Sequence, residues 1–184
     1  MRRGGAVTPL LAALAISAAC SGEAVRPTAT LAASDTADQV LEGVDFVLTD
    51  AGIRRTRVQA DSAFLFESSQ IASLRRLTVT FFDANGRETS TIQADSGQYA
   101  MRDGSMMAWG NVLATTPDGK RLRSQELRYD ARNRKIWSSL PFVFDHGDRH
   151  VEGNSFESDP EFRDIVTQQP RATQRGDGIV LPGQ

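Results

Sequence analysis

Cysteine is all but missing from this chain of 184 residues: Cys20 is the only one. No intramolecular disulfide can form, and no zinc-type cysteine pair exists. Histidine is nearly as scarce, with only His146 and His150, both inside Asp145-His146-Gly147-Asp148-Arg149-His150. A glycine between polar residues is what a hairpin turn needs, so this cluster reads as a solvated turn, and no metal is expected. A Gly-x-Ser-x-Gly elbow and a P-loop are lacking as well. The chain therefore reads as a non-enzyme without a cofactor. Its apolar stretch Leu10–Ile16 falls well short of the roughly 20 residues a spanning helix requires. Neither sign of charge dominates: 21 Lys and Arg stand against 23 Asp and Glu, for a net −2. Interspersed charges of both signs exclude the basic face of a nucleic-acid binder. After residue 40 no 3.6-residue apolar period is sustained, which excludes a helical domain.

What the chain does have is a repeated phrase: a turn glycine, about eight residues of strand, then Ala-Asp-Ser. It runs from Gly52 to Asp61 and Ser62, and again, 34 residues on, from Gly86 to Asp95 and Ser96. A weaker third copy opens at Gly119. Such periods mark stacked copies of one supersecondary unit, each too small to bury its apolar face alone. Asp61 and Asp95 fall where each strand is expected to give way to a turn. There an Asp commonly accepts backbone N–H groups, so the pair is read as structural, not as a catalytic carboxylate pair.

Half-apolar alternation marks further strands at Val44–Thr49, Leu74–Phe82, Met106–Thr115, Lys120–Tyr129, Lys135–Ser138, Phe142–Phe144 and Arg149–Ser158. Turns are expected at Asp50-Ala51-Gly52, at Asp83 to Gly86, where Asn85-Gly86 suits positive φ, at Pro117-Asp118-Gly119, at Asn133 and at Asp145–Asp148. The apolar parity switches between Leu122 and Leu127, which predicts a bulge near Ser124-Gln125. Trp109 and Trp137 could stack on sugars, but in a β-sandwich they are expected in the core. The class is all-β: two antiparallel layers of stacked strand repeats, with the first strand and the last, Val151–Ser158, as open edges.

Arg2 and Arg3, the apolar stretch and Ser17-Ala18-Ala19-Cys20 predict a secretory signal over 1–19. The last four residues are similar to the lipobox of bacterial lipoproteins, whose cysteine is acylated; Ser17 stands where that motif usually has Leu. Residues 20–39, rich in Ala, Thr and Ser, read as a flexible tether. The folded domain is expected over 40–162. A polar tail spans 163–184, apolar only at Ile179-Val180-Leu181, and whether it adds one short strand stays open.

Several pieces, in order, resemble the LptC family, the periplasmic component of the lipopolysaccharide export machinery. They are Phe82-Asp-Ala-Asn-Gly86, Ile92-Gln-Ala-Asp-Ser-Gly-Gln-Tyr99, Gly110-Asn-Val112, Leu122 to Asp130, Lys135-Ile-Trp-Ser138, Pro141-Phe142 and Glu152-Gly153. The resemblance implies a twisted, open-ended β-jellyroll with an apolar groove for the acyl chains of lipopolysaccharide. Inward positions that would line it are Phe46, Leu48, Leu77, Val79, Phe81, Ile92, Leu122, Ile136 and Phe144. It also implies edge-to-edge docking. Val151, Gly153 and Ser155 would form the edge toward an LptA-type periplasmic protein, and the N-terminal edge would face jellyroll domains of the ABC transporter's membrane subunits. Many relatives carry an N-terminal transmembrane helix, where this chain would have a lipid on Cys20. The expected address is the periplasmic face of the inner membrane. The outer membrane is the alternative, because Ser21 is not the Asp that retains lipoproteins at the inner membrane in some bacteria. A lipoprotein serving as a structural adaptor, with a dry interior and no lipid cargo, is the other reading.

Overall fold

A computed structural model describes residues 36–167 and 171–174. The signal sequence, Cys20, nearly all of the tether and Ile179-Val180-Leu181 lie outside the described residues. Among the described residues, twelve strands form one antiparallel sheet: β1 (Gln39–Asp50), β2 (Ile53–Phe66), β3 (Ile71–Phe82), β4 (Glu88–Ala100), β5 (Met106–Thr115), β6 (Arg121–Asp130), β7 (Lys135–Ser138), β8 (Phe142–His146), β9 (Arg149–Gly153), β10 (Phe156–Ser158), β11 (Val166–Thr167) and β12 (Arg171–Gln174). No helix occurs among the described residues, and the fold is all-β as expected. Strands β1 to β6 form a meander of consecutive neighbours. The expected turns join them. In the β3–β4 turn the Asp83 carboxylate accepts the N–H groups of Asn85 (2.7 Å) and Arg87 (2.9 Å), and Gly86 takes φ 76°.

The two expected layers are two arms of this single sheet, folded along a crease. In β2, inward-facing buried residues step from Ala60 to Ala63; in β3 from Leu74 to Leu77; in β4 from Ala94 to Gly97; in β6 from Ser124 to Leu127. A step of three in a structure of period two would turn the second half of each strand inside out. Positive-φ residues on alternate strands absorb the extra half-turn: Gly43 (63°) on β1, Arg76 (49°) on β3, Gly110 (78°) and Asn111 (49°) on β5. By register, Asp61, Asp95 and Gln125 lie beside them on β2, β4 and β6. The repeated Ala-Asp-Ser is therefore not a strand end. It is the point where a long strand passes from one arm to the other. The bulge expected on β6 also belongs to its neighbour: between Trp109 and Val112 it is β5 that carries the additional residue, opposite Gln125.

Beyond β6 the sheet forks. The first half of β6 pairs with β8, and that arm continues through β9 to β12. The second half pairs with β7, and the other arm continues through β10 to β11. The strand expected over Arg149–Ser158 is thus two strands, β9 and β10, one in each arm, because the chain must cross the fork at Asn154-Ser155. The tail contributes two short strands, where the sequence leaves room for one at most. Trp109 and Trp137 are half-buried on the outer face: their neighbours Ala108, Ile136 and Ser138 take the inward positions. The core lies between the arms. Three ring pairs join arm to arm along it: Phe46–Tyr99 (centroids 5.4 Å), Phe81–Tyr129 (4.9 Å) and Phe142–Phe156 (5.0 Å).

Candidate functional site

The interior between the arms is lined mainly by apolar side chains. Its buried polar side chains are the hydroxyls of Thr56, Ser90, Ser124, Ser138 and Ser158, and no buried charge occurs among the described residues. All nine expected lining residues face into it. Eight belong to the arm containing β8, and Ile136 belongs to the other. They differ in access. Leu77, Val79, Phe81, Ile92, Leu122, Ile136 and Phe144 are buried, with Phe81 1% and Ile136 0% exposed. Phe46 and Leu48 are half-buried. The middle of the seam is filled by its own side chains, and solvent reaches it at the β1 end. There Val44, Phe46, Leu48, Leu65 and Tyr99 pack partly buried against the core. Burial raises the Tyr99 hydroxyl above the usual phenol value, with Asp103 adding to the rise.

Strand β1 is the terminal strand at this end, and its outer backbone edge has no strand beside it among the described residues. Val40, Leu41 and Val47 are exposed along it. On its outer face Asp45 accepts hydrogen bonds from Arg57 (Nε, 2.8 Å) and Gln59. The Arg57 bond holds the Asp45 carboxyl below its ordinary value. This polar clasp ties β1 to β2 on the solvent side while leaving the edge bare.

The opposite rim is arranged differently. Val151 pairs with Phe144 on one side and with Ala172 of β12 on the other. Gly153 pairs with Phe142, and a Cβ there would collide with Thr167 Oγ1 and Phe142. Ser155 lies in the crossover, and its carbonyl accepts a hydrogen bond from the Thr167 hydroxyl (2.7 Å). None of these three residues is at a free edge, because the tail strands lie outside them. Nearby, His150 contacts Asp145 (Nδ1 to Oδ1, 2.6 Å) and Glu152 (Nε2 to Oε1, 3.2 Å), and Arg123 donates to Asp145 (2.8 Å). Asp145 first, and then Glu152, raise the His150 pKa above its ordinary value. His146 is no part of this group, and no cluster of three or more His, Cys, Asp or Glu suited to a metal occurs among the described residues. A cleft of about 750 Å³ at the fork is lined by outward residues such as Arg121, Arg123 and Arg171 and also by the buried Val112, Ser124 and Phe142.

The crease and the tail strands are what the strand-by-strand reading missed. The crease had a signal, since the same three-residue step between inward positions recurs in four strands. Strands β11 and β12 had none, being short and without apolar alternation.

Comparison with known proteins agrees with this architecture. No curated protein matches the chain. Among solved structures, it is similar to LptH of Pseudomonas aeruginosa, the LptA-homologous periplasmic component of that organism's lipopolysaccharide transport device. The identity is 15% and the TM-score 0.50, over 67% of this chain and 95% of that one. That likeness supports the jellyroll-type fold. The family described as lipopolysaccharide-assembly, LptC-related, matches residues 10–165, and the chain belongs to that family.

Proposed function

We propose that this chain is a periplasmic, non-enzymatic subunit that carries lipopolysaccharide from the inner toward the outer membrane. It holds the acyl chains between its two arms. Lipid on Cys20 anchors it to the periplasmic face of the inner membrane. Jellyroll domains of an ABC transporter's membrane subunits deliver cargo at the β1 end, and an LptA-type protein receives it at the other. The observation that carries this reading is the charge-free apolar seam that opens at the β1 mouth. An acyl chain of about a dozen carbons crossing water bare would cost roughly 10 kcal/mol, at about 0.8 kcal/mol per CH₂. Continuous apolar cover is therefore the physical requirement for transfer, and the seam offers it.

Photo-crosslinking tests the reading. A crosslinker at Phe46, at the mouth, or at Phe81, deep in the seam, is expected to capture lipopolysaccharide. Thr80, which faces outward, is expected to capture none. Capture from Thr80 alone would overturn a groove. The filled middle of the seam is the one observation that favours a structural adaptor instead. For an adaptor, no position would capture lipid and the purified chain would be lipid-free.

A further inference from the structure

We infer that the β9 rim is an interface kept covered by the chain's own tail: β12 is a displaceable strand, and what replaces it is the edge strand of a second β-sheet protein. The inference rests on the docking half of the function proposed above. It starts from the last two strands of the described chain. The family match stops at residue 165, and both β11 (Val166–Thr167) and β12 (Arg171–Gln174) lie beyond it. Strand β12 lies over the outer side of β9, the strand that would otherwise close this arm.

The way β12 is held suits a removable part. It pairs with β9 and with no other described strand, through Arg171↔Glu152, Ala172↔Val151, Thr173↔His150 and Gln174↔Arg149. From Gln168 to Gly178 the sequence reads Gln-Gln-Pro-Arg-Ala-Thr-Gln-Arg-Gly-Asp-Gly, without one large apolar side chain. Residues 168–178 thus carry no large apolar side chain, and β12 meets the rim through its backbone ladder with β9. Strand β9 contributes to both rim and core: Val151 packs against the core, and the β8 ladder fixes its other side. Without β12, β9 would present a row of unpaired N–H and C=O groups, which is a template for any incoming strand. Backbone pairing of this kind is indifferent to sequence, so an incoming strand makes the same ladder that β12 makes. The partner that fits is one with a free strand edge and apolar residues at alternate positions, able to extend both the ladder and the layer that Phe144 and Val151 begin. Strand β11 has a different part. Its hydroxyl bond to Ser155 and its contact at Gly153 fix the crossover, so it stays when β12 leaves.

A cover closed about nine-tenths of the time lowers apparent affinity about tenfold, which sets the size of the effect. The experiment compares binding of a purified LptA-type jellyroll protein, by calorimetry, to the whole secreted chain and to the chain ending at Thr167. A second variant keeps full length and carries Ala172→Pro with Thr173→Pro. Adjacent N–H groups of a strand point to opposite sides, so one of the two prolines removes a ladder donor whichever it is. Both changes are expected to tighten partner binding about tenfold, and a peptide of residues 168–184 added in trans is expected to reverse the gain for the truncated chain. Hydrogen exchange of the β9 amides should quicken in both variants. Unchanged or weaker partner binding with quickened β9 exchange would overturn the cover. Lipopolysaccharide capture with no partner binding by any form would overturn the docking reading itself.

Discussion

Gly110 shows how one residue sets the geometry of the whole sheet. It sits at φ 78°, in the left-handed region, where a side chain strains the backbone. The Asp95 carboxylate also closes on it, so that a Cβ at Gly110 would lie 2.8 Å from Asp95 Oδ2. That carboxylate is held in place by Asn111, whose Nδ2 donates to it at 2.7 Å. On the neighbouring pair of strands Asp61 makes an ion pair with Arg76, itself at positive φ. Both acids of the repeat thus brace a crease residue from the solvent side. Gly110→Ala is expected to lower stability by about 1–2 kcal/mol, combining the left-handed penalty with the close approach. A urea midpoint that drops with an unchanged m-value would show it. An unshifted midpoint would mean the crease tolerates a side chain at this position.

At the scale of elements, the β8–β9 hairpin couples the rim to pH. His150 on β9 stands between Asp145 on β8 and Glu152 on its own strand. Arg123 on β6 contacts Asp145, and Arg171 on β12 lies opposite Glu152. The two carboxylates hold the folded-state pKa of His150 above its ordinary value. A raised pKa in the folded state means the imidazolium stabilises the hairpin. That contribution is complete below the unfolded value of about 6.5 and is lost as pH rises through the higher folded value. Stability is therefore expected to fall across this window in the parent chain and to stay flat in His150→Gln, measured by thermal melts from pH 5.5 to 8.5. Parallel curves for the two proteins would mean that His150 does not set this pH dependence. The elements themselves differ in how readable they are. Hairpin turns were legible because Asn85-Gly86 and Gly147 answer a local geometric demand. Alternation made the strand bodies of β3, β5 and β6 legible for the same reason. The length of β2 and β4 was not, because Ala-Asp-Ser looks locally like a strand end, and only a partner strand with a positive φ lets the chain continue. Nor was the division of Arg149–Ser158, since a crossover between arms is a property of the fork and not of these ten residues. The nine inward positions of the seam could be read from parity, yet parity does not say whether apolar residues meet each other or a ligand.

That question belongs to the whole molecule. Three ring pairs cross between the arms within the apolar core, each worth about 0.5–1.5 kcal/mol beyond its buried area, so their geometry adds about 1.5–4.5 kcal/mol to the cost of parting the arms. An acyl chain passing between them exchanges apolar contact for apolar contact, and its own removal from water contributes roughly 10 kcal/mol. Gain from burying the acyl chain exceeds the cost of separating the rings, so a filled seam and a lipid carrier are compatible provided the arms can hinge at the crease. Loading should then depend on freedom between Phe46 and Tyr99, the ring pair nearest the β1 mouth. In a secreted chain carrying Cys20→Ser, the pair Phe46→Cys and Tyr99→Cys can be bridged with a short dithiol-reactive linker. Bridging is expected to lower binding of labelled lipopolysaccharide at least tenfold, while either single variant treated with the same reagent keeps it. Equal binding with and without the bridge would mean that the arms do not part at the mouth, and lipid would have to lie on the outer surface instead.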